Sequence, residues 1–228
     1  MIWCLHGALG SHLDWQKLAA ERILKDRVRA LDLWQPFPEL EFEDWAADWC
    51  KTVVTQDEAP ILLGYSMGGR LALHAALASP VWRAAIIVSA HTGLTSSAER
   101  QQRLVSDQKW LASLKQQSWP DFLAAWDQQS LFDKTPSPFR ALHRPTMTRC
   151  FQEWSLCNQR DLTPRLTEIR CPVLWVVGEQ DSKFRKIGER AVARLPHAQL
   201  KVAPDCGHRV PWDWPQFSTE IAQFLVNK

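Results

Sequence analysis

Residues 60–78 contain a strand–turn–helix segment that constrains the fold more than any other part of the sequence. The apolar run Pro60-Ile61-Leu62-Leu63 predicts a buried strand, and residues 69–78 are rich in helix formers. Between them lies Gly64-Tyr65-Ser66-Met67-Gly68. A strand that meets a helix through Gly-x-Ser-x-Gly is typical of a nucleophile elbow, in which the tight turn raises the serine hydroxyl above the sheet. The turn also places the positive end of the helix dipole beside that hydroxyl. A chance match is the alternative.

Strand-like and helix-like segments alternate along the chain, which predicts a mostly parallel sheet with helices on both faces. The predicted strands are Ile2–Leu5, Val28–Leu33, Ile61–Tyr65, Ala85–Ser89, Val173–Gly178 and Leu200–Ala203. The predicted helices of the core are Trp15–Leu24, Phe42–Val54, Met67–Ala78, Lys183–Arg194 and Trp214–Val226.

The stretch between the fourth and fifth predicted strands breaks this alternation, because it is polar and has no clear strand. Its helical segments are Ala98–Leu114, Trp119–Gln129 and Phe139–Cys157. We expect residues 1–93 and 166–228 to form an α/β core and residues 94–165 to form a helical lid over the site. Ordinary helices of the outer layer are the alternative.

Composition excludes several classes of function. With 228 residues, a single domain is expected, and a formal charge of +2 is too small to indicate a nucleic-acid partner. No apolar run reaches the roughly 18 residues of a membrane span, and the N-terminus does not resemble a signal peptide. The six cysteines are scattered without metal-site spacing, so we expect reduced thiols in a cytoplasmic protein. No metal or organic cofactor is indicated, since a dinucleotide fingerprint is missing too.

Open α/β sheets bind ligands beyond the carboxyl ends of their strands. A second glycine-flanked turn, besides the elbow, is expected at this edge of the sheet. The first strand is followed by His6-Gly7-Ala8-Leu9-Gly10, an HGxxG turn. The backbone N–H of Ala8, paired with that of Met67, would form an oxyanion hole. A plain strand-to-helix turn is the alternative.

Two ionisable residues follow later strands at the same edge. Asp181 follows the fifth predicted strand, where it would fix the tautomer of a histidine or cap a helix that begins near Ser182. His208 follows the last strand and is the candidate general base, although a lone loop histidine is usually just solvated. The order Ser66, Asp181, His208 is that of a Ser-His-Asp triad on this type of sheet.

These residues resemble the α/β-hydrolase superfamily over the whole chain, and within it the 2-succinyl-6-hydroxy-2,4-cyclohexadiene-1-carboxylate (SHCHC) synthases. The closer resemblance rests on residues 64–70, on Gly178-Glu179-Gln180-Asp181-Ser182-Lys183-Phe184, and on segments 98–107 and 126–129. It implies an α/β-hydrolase fold and a lyase of menaquinone or phylloquinone biosynthesis. That lyase eliminates pyruvate from 2-succinyl-5-enolpyruvyl-6-hydroxy-3-cyclohexene-1-carboxylate. Ser66, activated by His208, would take the proton alpha to the succinyl ketone, and the oxyanion hole would hold the enolate.

The family's substrate carries three carboxylates, so the resemblance implies a cationic pocket. Arg70 lies one helical turn beyond Ser66, where a desolvated guanidinium needs an anionic partner, either a ligand or a core carboxylate. Arg103 matches the family's Arg-Leu-x-x-Asp pattern, or else lies on an ordinary helix surface. The implied substrate-binding residues are Tyr65, Arg70, Arg103, Trp126 and Arg144.

Some of these assignments have direct alternatives. Arg140 or Arg149 could serve in place of Arg144, and the aromatic rings of Tyr65 and Trp126 could be core packing. No other cofactor or partner is implied: we expect a monomer that binds a small polycarboxylate and neither nucleic acid nor membrane.

Two segments depart from the family pattern. The chain begins almost at the HGxxG turn, so we expect the N-terminal hairpin to be missing and the sheet to have about six strands with an exposed edge. The usual Asp-x-x-Gly-x-Gly loop is replaced by Asp32-Leu33-Trp34-Gln35-Pro36-Phe37-Pro38, so the wall of the pocket is expected to differ.

Two competing functions use the same fold. A carboxylester hydrolase or thioesterase acting on acidic acyl groups would form an acyl-serine at Ser66. A non-catalytic ligand-binding protein is the other possibility, because a fold does not guarantee activity.

Overall fold

The computed structural model describes residues 1–34, 41–132 and 144–226, in which six parallel strands form one sheet. The strands are β1 (Ile2–Leu5), β2 (Val28–Leu31), β3 (Ile61–Tyr65), β4 (Ala84–Val88), β5 (Val173–Gly178) and β6 (Ala198–Ala203). Their order is β2-β1-β3-β4-β5-β6. The strand order reverses between β1 and β3, and the loops that leave these two strands therefore meet at the point where such sheets bind ligands.

Nine α-helices are present in the described part of the chain. They are α1 (Gln16–Ala20), α2 (Phe42–Val54), α3 (Met67–Ala78), α4 (Ser97–Gln116), α5 (Trp119–Asp127), α6 (Arg144–Gln152), α7 (Ser182–Val192), α8 (Val210–Asp213) and α9 (Phe217–Val226). Short 3-10 helices span His12–Trp15, Ser130–Phe132 and Thr163–Glu168. The predicted α/β architecture with about six parallel strands is confirmed.

The sheet separates two hydrophobic layers, because successive side chains of a strand point to opposite faces. In β5, Val173, Trp175 and Val177 belong to the hydrophobic layer that includes residues of α2, α3 and α7, while Leu174 and Val176 belong to the layer that includes residues of α9. All six residues of β5 are buried, which fits a central parallel strand covered on both faces. At one edge of the described sheet, β2 presents the exposed Arg29, whose charge disfavours pairing with another strand.

Two predicted helices have different bounds in the structure. The predicted helix Trp15–Leu24 ends at Ala20, because Glu21 is extended and the chain then turns to bury Leu24. The predicted helix Trp214–Val226 begins only at Phe217, after the separate helix α8. Pro215 explains the break, since the residue before a proline avoids the helical conformation and Trp214 is extended.

Helices α4, α5 and α6, here called the helical insertion, lie between β4 and β5 along the chain. A capping box of Ser96 and Glu99 begins α4, and Ser118 caps α5. The predicted helix Phe139–Cys157 begins outside the described residues and is observed from Arg144 to Gln152. Across the described residues, no helix has both the length and the apolar character that a membrane crossing demands.

Candidate active site

The turn between β3 and α3 holds Ser66 in a strained conformation, with φ 52° and ψ −109°. Its backbone N–H donates to the carbonyl oxygen of Val88 in β4 at 2.9 Å, which fixes the turn to the sheet. A side chain at Gly64 would overlap the Gly68 carbonyl, and one at Gly68 would overlap the Leu5 carbonyl. The glycines of the Gly-x-Ser-x-Gly sequence are therefore required by the close approach of β1, β3 and α3.

Ser66, His208 and Asp181 form a continuous chain of hydrogen bonds. His208 Nε2 lies 3.0 Å from Ser66 Oγ, and His208 Nδ1 lies 2.6 Å from Asp181 Oδ2. Both His208 and Asp181 are buried. A carboxylate can only accept a hydrogen bond, so Nδ1 of the neutral imidazole carries the proton. Nε2 is then unprotonated and faces the serine hydroxyl.

Asp181 makes both of the contacts that its sequence position suggested, one to a histidine and one to the start of a helix. One carboxylate oxygen binds His208, while Oδ1 accepts from the backbone N–H of Phe184 at 3.3 Å and so caps α7. The cap immobilises the carboxylate that orients the histidine. The Phe184 ring in turn packs 4.4 Å from the His208 ring, measured between centroids.

The HGxxG turn lies beside the elbow and is held by the loop that follows β2. His6 is fully buried, and its Nε2 accepts from the backbone N–H of Leu33 at 3.1 Å. Trp34 Nε1 donates to the carbonyl oxygen of Gly10 at 2.5 Å. The unusual loop of this chain thus braces the turn that carries Ala8, although residues 35–40 lie outside the described part.

A pocket opens above Ser66 between the elbow and the helical insertion. The walls contributed by the core include Ala8, Tyr65, Met67, Arg70, His91 and Phe184, and those contributed by the insertion and its flanks include Arg103, Asp107, Trp110, Trp126, Phe132 and Leu156. As the first residue of α3, Met67 has a backbone N–H that its own helix cannot satisfy. The structure therefore brings Ser66, Ala8, Met67, Tyr65, Arg70, Arg103 and Trp126 to one cavity.

Arg70 is a buried cation that forms no ion pair with a carboxylate among the described residues. It donates to the backbone oxygen of Trp154 at 2.9 Å and to Gln159 Oε1 at 3.3 Å, both neutral acceptors. Burial, with a smaller effect from the charge of Arg103, lowers the pKa of Arg70 to about 9. Within the described part of the chain, the alternative of a structural ion pair is thus not observed, and an anion in the pocket would stabilise the guanidinium.

Arg103 contributes a second cation to the same pocket. Its Nε lies 2.9 Å from both carboxylate oxygens of Asp107, one helical turn further along α4. Asp107 is buried and also accepts from the Ser155 hydroxyl. The Arg-Leu-x-x-Asp pattern therefore corresponds to a guanidinium that is anchored through Nε at the rim of the pocket.

Arg144, which was expected to bind the substrate, is not among the described residues that line the pocket and lies at the end of α4 instead. Its guanidinium donates to the backbone oxygens of Leu114 and Gln117 at 2.9 and 2.8 Å. These carbonyls belong to the C-terminal turn of α4, where a cation satisfies acceptors that the helix leaves free. Arg140 lies outside the described residues, as does the side chain of Arg149.

Several pocket residues were not predicted from the sequence. His91 follows β4 and lines the pocket, so the rule that the site lies beyond the strand ends could have found it. Phe132 lies within 6.0 Å of both the His208 and Trp126 rings, as measured between centroids, but no local pattern indicates these contacts. No cluster of three or more His, Cys, Asp or Glu side chains suited to a metal ion occurs within the described ranges.

Comparisons with known proteins agree with this geometry. The model of a family described as the alpha/beta hydrolase family matches residues 4–223. The chain belongs to the alpha/beta hydrolase family. Within it, the chain is 29% identical over 248 residues to the SHCHC synthase of Serratia proteamaculans (strain 568), covering 100% of this chain and 93% of that protein. It is 31% identical over 195 residues to the SHCHC synthase of Escherichia coli O1:K1 / APEC, covering 81% and 75%.

One solved structure has the same fold. The structure of MenH from S. aureus superposes with a TM-score of 0.90 at 24% identity and covers 99% of this chain and 93% of that one. The predicted fold and the resemblance to the SHCHC synthases are both confirmed.

Three histidines of this alpha/beta hydrolase are expected to make the fold sensitive to acid. Burial lowers the pKa of His6 to about 4, of His74 to about 3 and of His91 to about 4. His6 Nε2 and His91 Nδ1 each accept a backbone N–H, which a protonated ring could not do. The unfolded chain binds these protons below pH 6.5 and the folded chain does not, so stability present above pH 6.5 is lost as the pH falls toward 4.

We expect the free energy of unfolding to fall by about 2 kcal/mol per buried histidine between pH 7 and pH 5. Urea unfolding of His91→Asn, which keeps an acceptor for the Gly93 N–H, should show a smaller fall than the wild type. His197→Asn, at an exposed position, should behave as the wild type. An equal pH dependence in all three proteins would contradict the role assigned to His91.

Proposed function

We propose that this protein is an SHCHC synthase, a lyase that eliminates pyruvate from 2-succinyl-5-enolpyruvyl-6-hydroxy-3-cyclohexene-1-carboxylate. One observation carries the proposal: the Ser66–His208–Asp181 chain opens on a pocket whose described walls include the guanidinium groups of Arg70 and Arg103. Such a pocket suits a polycarboxylate much better than an apolar ester. The names of the curated relatives support the same activity.

In the first step, Ser66 acts as a base toward carbon. Its Oγ takes the proton alpha to the succinyl ketone while its own proton passes to His208 Nε2, 3.0 Å away. Asp181, bonded to Nδ1, stabilises the imidazolium that results. The electron pair of the broken C–H bond moves onto the ketone oxygen, which becomes an enolate.

In the second step, the enolate collapses and the ring C–O bond to the enolpyruvyl group breaks. The backbone N–H groups of Ala8 and Met67 are assigned to the oxyanion hole, where they stabilise the enolate oxygen without reorganisation. The departing enolpyruvate takes the surplus proton of His208 at its methylene carbon to give pyruvate, which leaves His208 neutral and Ser66 protonated, as at the start. Neither an acyl-serine nor a hydrolytic water is required.

The arginines supply orientation for this chemistry. A carboxylate held by Arg70 is fixed one helical turn from Ser66, and Arg103 holds another from the insertion side of the pocket. Fixing the carboxylates fixes the acidic C–H relative to Oγ, which is where most of the rate gain from positioning arises. Tyr65 and Trp126 are assigned to the apolar walls around the ring. The proposal further includes a cytoplasmic monomer that uses no metal or cofactor.

The test is pyruvate release from the enolpyruvyl substrate, coupled to lactate dehydrogenase and followed as loss of NADH. The wild type is expected to release one pyruvate per substrate, with no initial burst. An activated ester such as p-nitrophenyl acetate, which would give a burst with an acyl-serine hydrolase, serves as the comparison. Ester turnover with a burst but no pyruvate would support the hydrolase, and no turnover of either would support a ligand-binding protein.

A further inference from the structure

A small second cavity lies directly beside the proposed active site. It is lined by Ala8, Tyr65, Trp126 and Phe132, all of which also line the main pocket, and by Leu9, Gly10, Asp14, Arg209 and Trp212. Ala8 carries one of the proposed oxyanion donors and Tyr65 immediately precedes Ser66. A group bound in this cavity would therefore lie next to the reacting part of a substrate.

Three of its lining residues each carry a buried polar atom that has no hydrogen-bond partner among the described residues. These atoms are Asp14 Oδ1, Arg209 Nη1 and Trp212 Nε1. Asp14 and Arg209 are only 5% and 4% exposed. Because burying an unpartnered polar atom is unfavourable, three such atoms on the lining residues of one small cavity indicate a place where a polar ligand binds.

The free donor of Arg209 is held in a fixed position by the rest of its side chain. Its Nη2 donates to Asp127 Oδ1 at 2.9 Å, in a buried ion pair with α5. The guanidinium carbon lies 4.4 Å from the centre of the Phe132 ring. The Trp212 ring is likewise fixed, packed edge-on against Tyr65 at 5.0 Å between centroids.

The three atoms match the hydrogen-bonding capacity of one hydroxyl group. A hydroxyl has one O–H donor and two acceptor lone pairs. The O–H would donate to Asp14 Oδ1, and the two lone pairs would accept from Arg209 Nη1 and Trp212 Nε1. A carboxylate fits less well, because Asp14 and Asp127 already offset the charge of Arg209. Burial raises the pKa of Asp14 to about 7, against smaller opposing effects of a hydrogen bond from the Ser11 backbone and of the charge of Arg209.

We propose that Asp14, Arg209 and Trp212 form the subsite for the hydroxyl group on the ring of the substrate. This inference rests on the proposed function, whose product carries a 6-hydroxy group in its name. The subsite would distinguish the hydroxylated ring from an otherwise similar ring without the hydroxyl, since a site built for a hydroxyl leaves its own polar groups unpaired when the hydroxyl is missing.

The experiment compares two ligands by calorimetry: SHCHC and 2-succinylbenzoate, an aromatic ring with the same succinyl and carboxylate groups but no hydroxyl. The wild type is expected to bind SHCHC about 10-fold more tightly. Trp212→Phe removes one donor and keeps the ring, and Arg209→Lys keeps a cation beside Asp127 but loses the second donor. Both variants should bind 2-succinylbenzoate as the wild type does and lose most of the preference for SHCHC.

Trp119 lines neither cavity, so Trp119→Phe is the matched control and should retain the preference for SHCHC. Equal affinity of the wild type for both ligands would overturn the subsite, as would variants that retain the preference. An equal loss of affinity for both ligands would show that the cavity holds only structural water. Failure of the proposed function is a different result, in which neither ligand binds the wild type.

Discussion

Replacement of Ser66 by alanine is expected to lower kcat for pyruvate elimination by ~10⁴-fold or more, because serine carries the proton off carbon and no other base replaces it. His208 Nε2 reaches Ser66 Oγ, so the two residues act as one unit, and His208→Ala should cost a similar factor. Substrate affinity should change little, since the hydroxyl acts on the reacting C–H bond and the arginines bind the carboxylates.

Ser89→Ala is a closely matched control for this experiment. Ser89 also follows a strand, has a positive φ of 46°, and is buried with a hydroxyl that has no hydrogen-bond partner in the described part of the chain, but it does not line the pocket. Its replacement should leave kcat unchanged. Pyruvate release by Ser66→Ala within a factor of ten of the wild type would show that the base is another residue.

Replacement of Arg70 by methionine is expected to lower kcat/KM by ~10²-fold or more, since a carboxylate that loses its buried charge-assisted partner loses about 2–5 kcal/mol. The protein itself should lose much less stability than the substrate loses in binding, so the thermal midpoint should fall only a little. The reason is that the variant also removes a buried cation that pairs with no described carboxylate. The loss should be largest for the tricarboxylate substrate and small for a neutral activated ester, which does not use the guanidinium.

Arg100→Met controls for the general effect of deleting an arginine in this region. Arg100 also donates to the segment that follows α6, through the backbone oxygens of Cys157 and Gln159, but it lies outside the pocket. Its variant should turn over the substrate normally once folded. Equal kcat/KM values for Arg70→Met and the wild type would remove the reason for choosing a polycarboxylate substrate.

The sequence could predict those site residues whose position is set by a single strand and the loop that follows it. Ser66, Asp181 and His208 each follow a strand of a parallel sheet, and parallel strands end at one common edge. Local rules also located most of the helices. They fail for the last helix, because Pro215 keeps Trp214 out of the helical conformation and the helix begins only at Phe217.

The remaining residues depend on packing between the core and the helical insertion, which local patterns do not encode. Arg144 has a suitable charge, but the free carbonyls at the end of α4 bind it instead of the pocket. Conversely, Arg209 reaches Asp127, 82 positions away, and nothing in the neighbourhood of either residue indicates the pairing. The proposed hydroxyl subsite could therefore be inferred only from the structure and not from the sequence.

Intact-protein mass spectrometry of rapidly quenched turnover, with pyruvate measured in the same samples, tests most directly the claim that Ser66 takes a proton from carbon. The expected result is pyruvate formed linearly from the first turnover, with the protein mass unchanged throughout. A mass increase located at Ser66, equal to an acyl group and rising ahead of or without pyruvate, would contradict it.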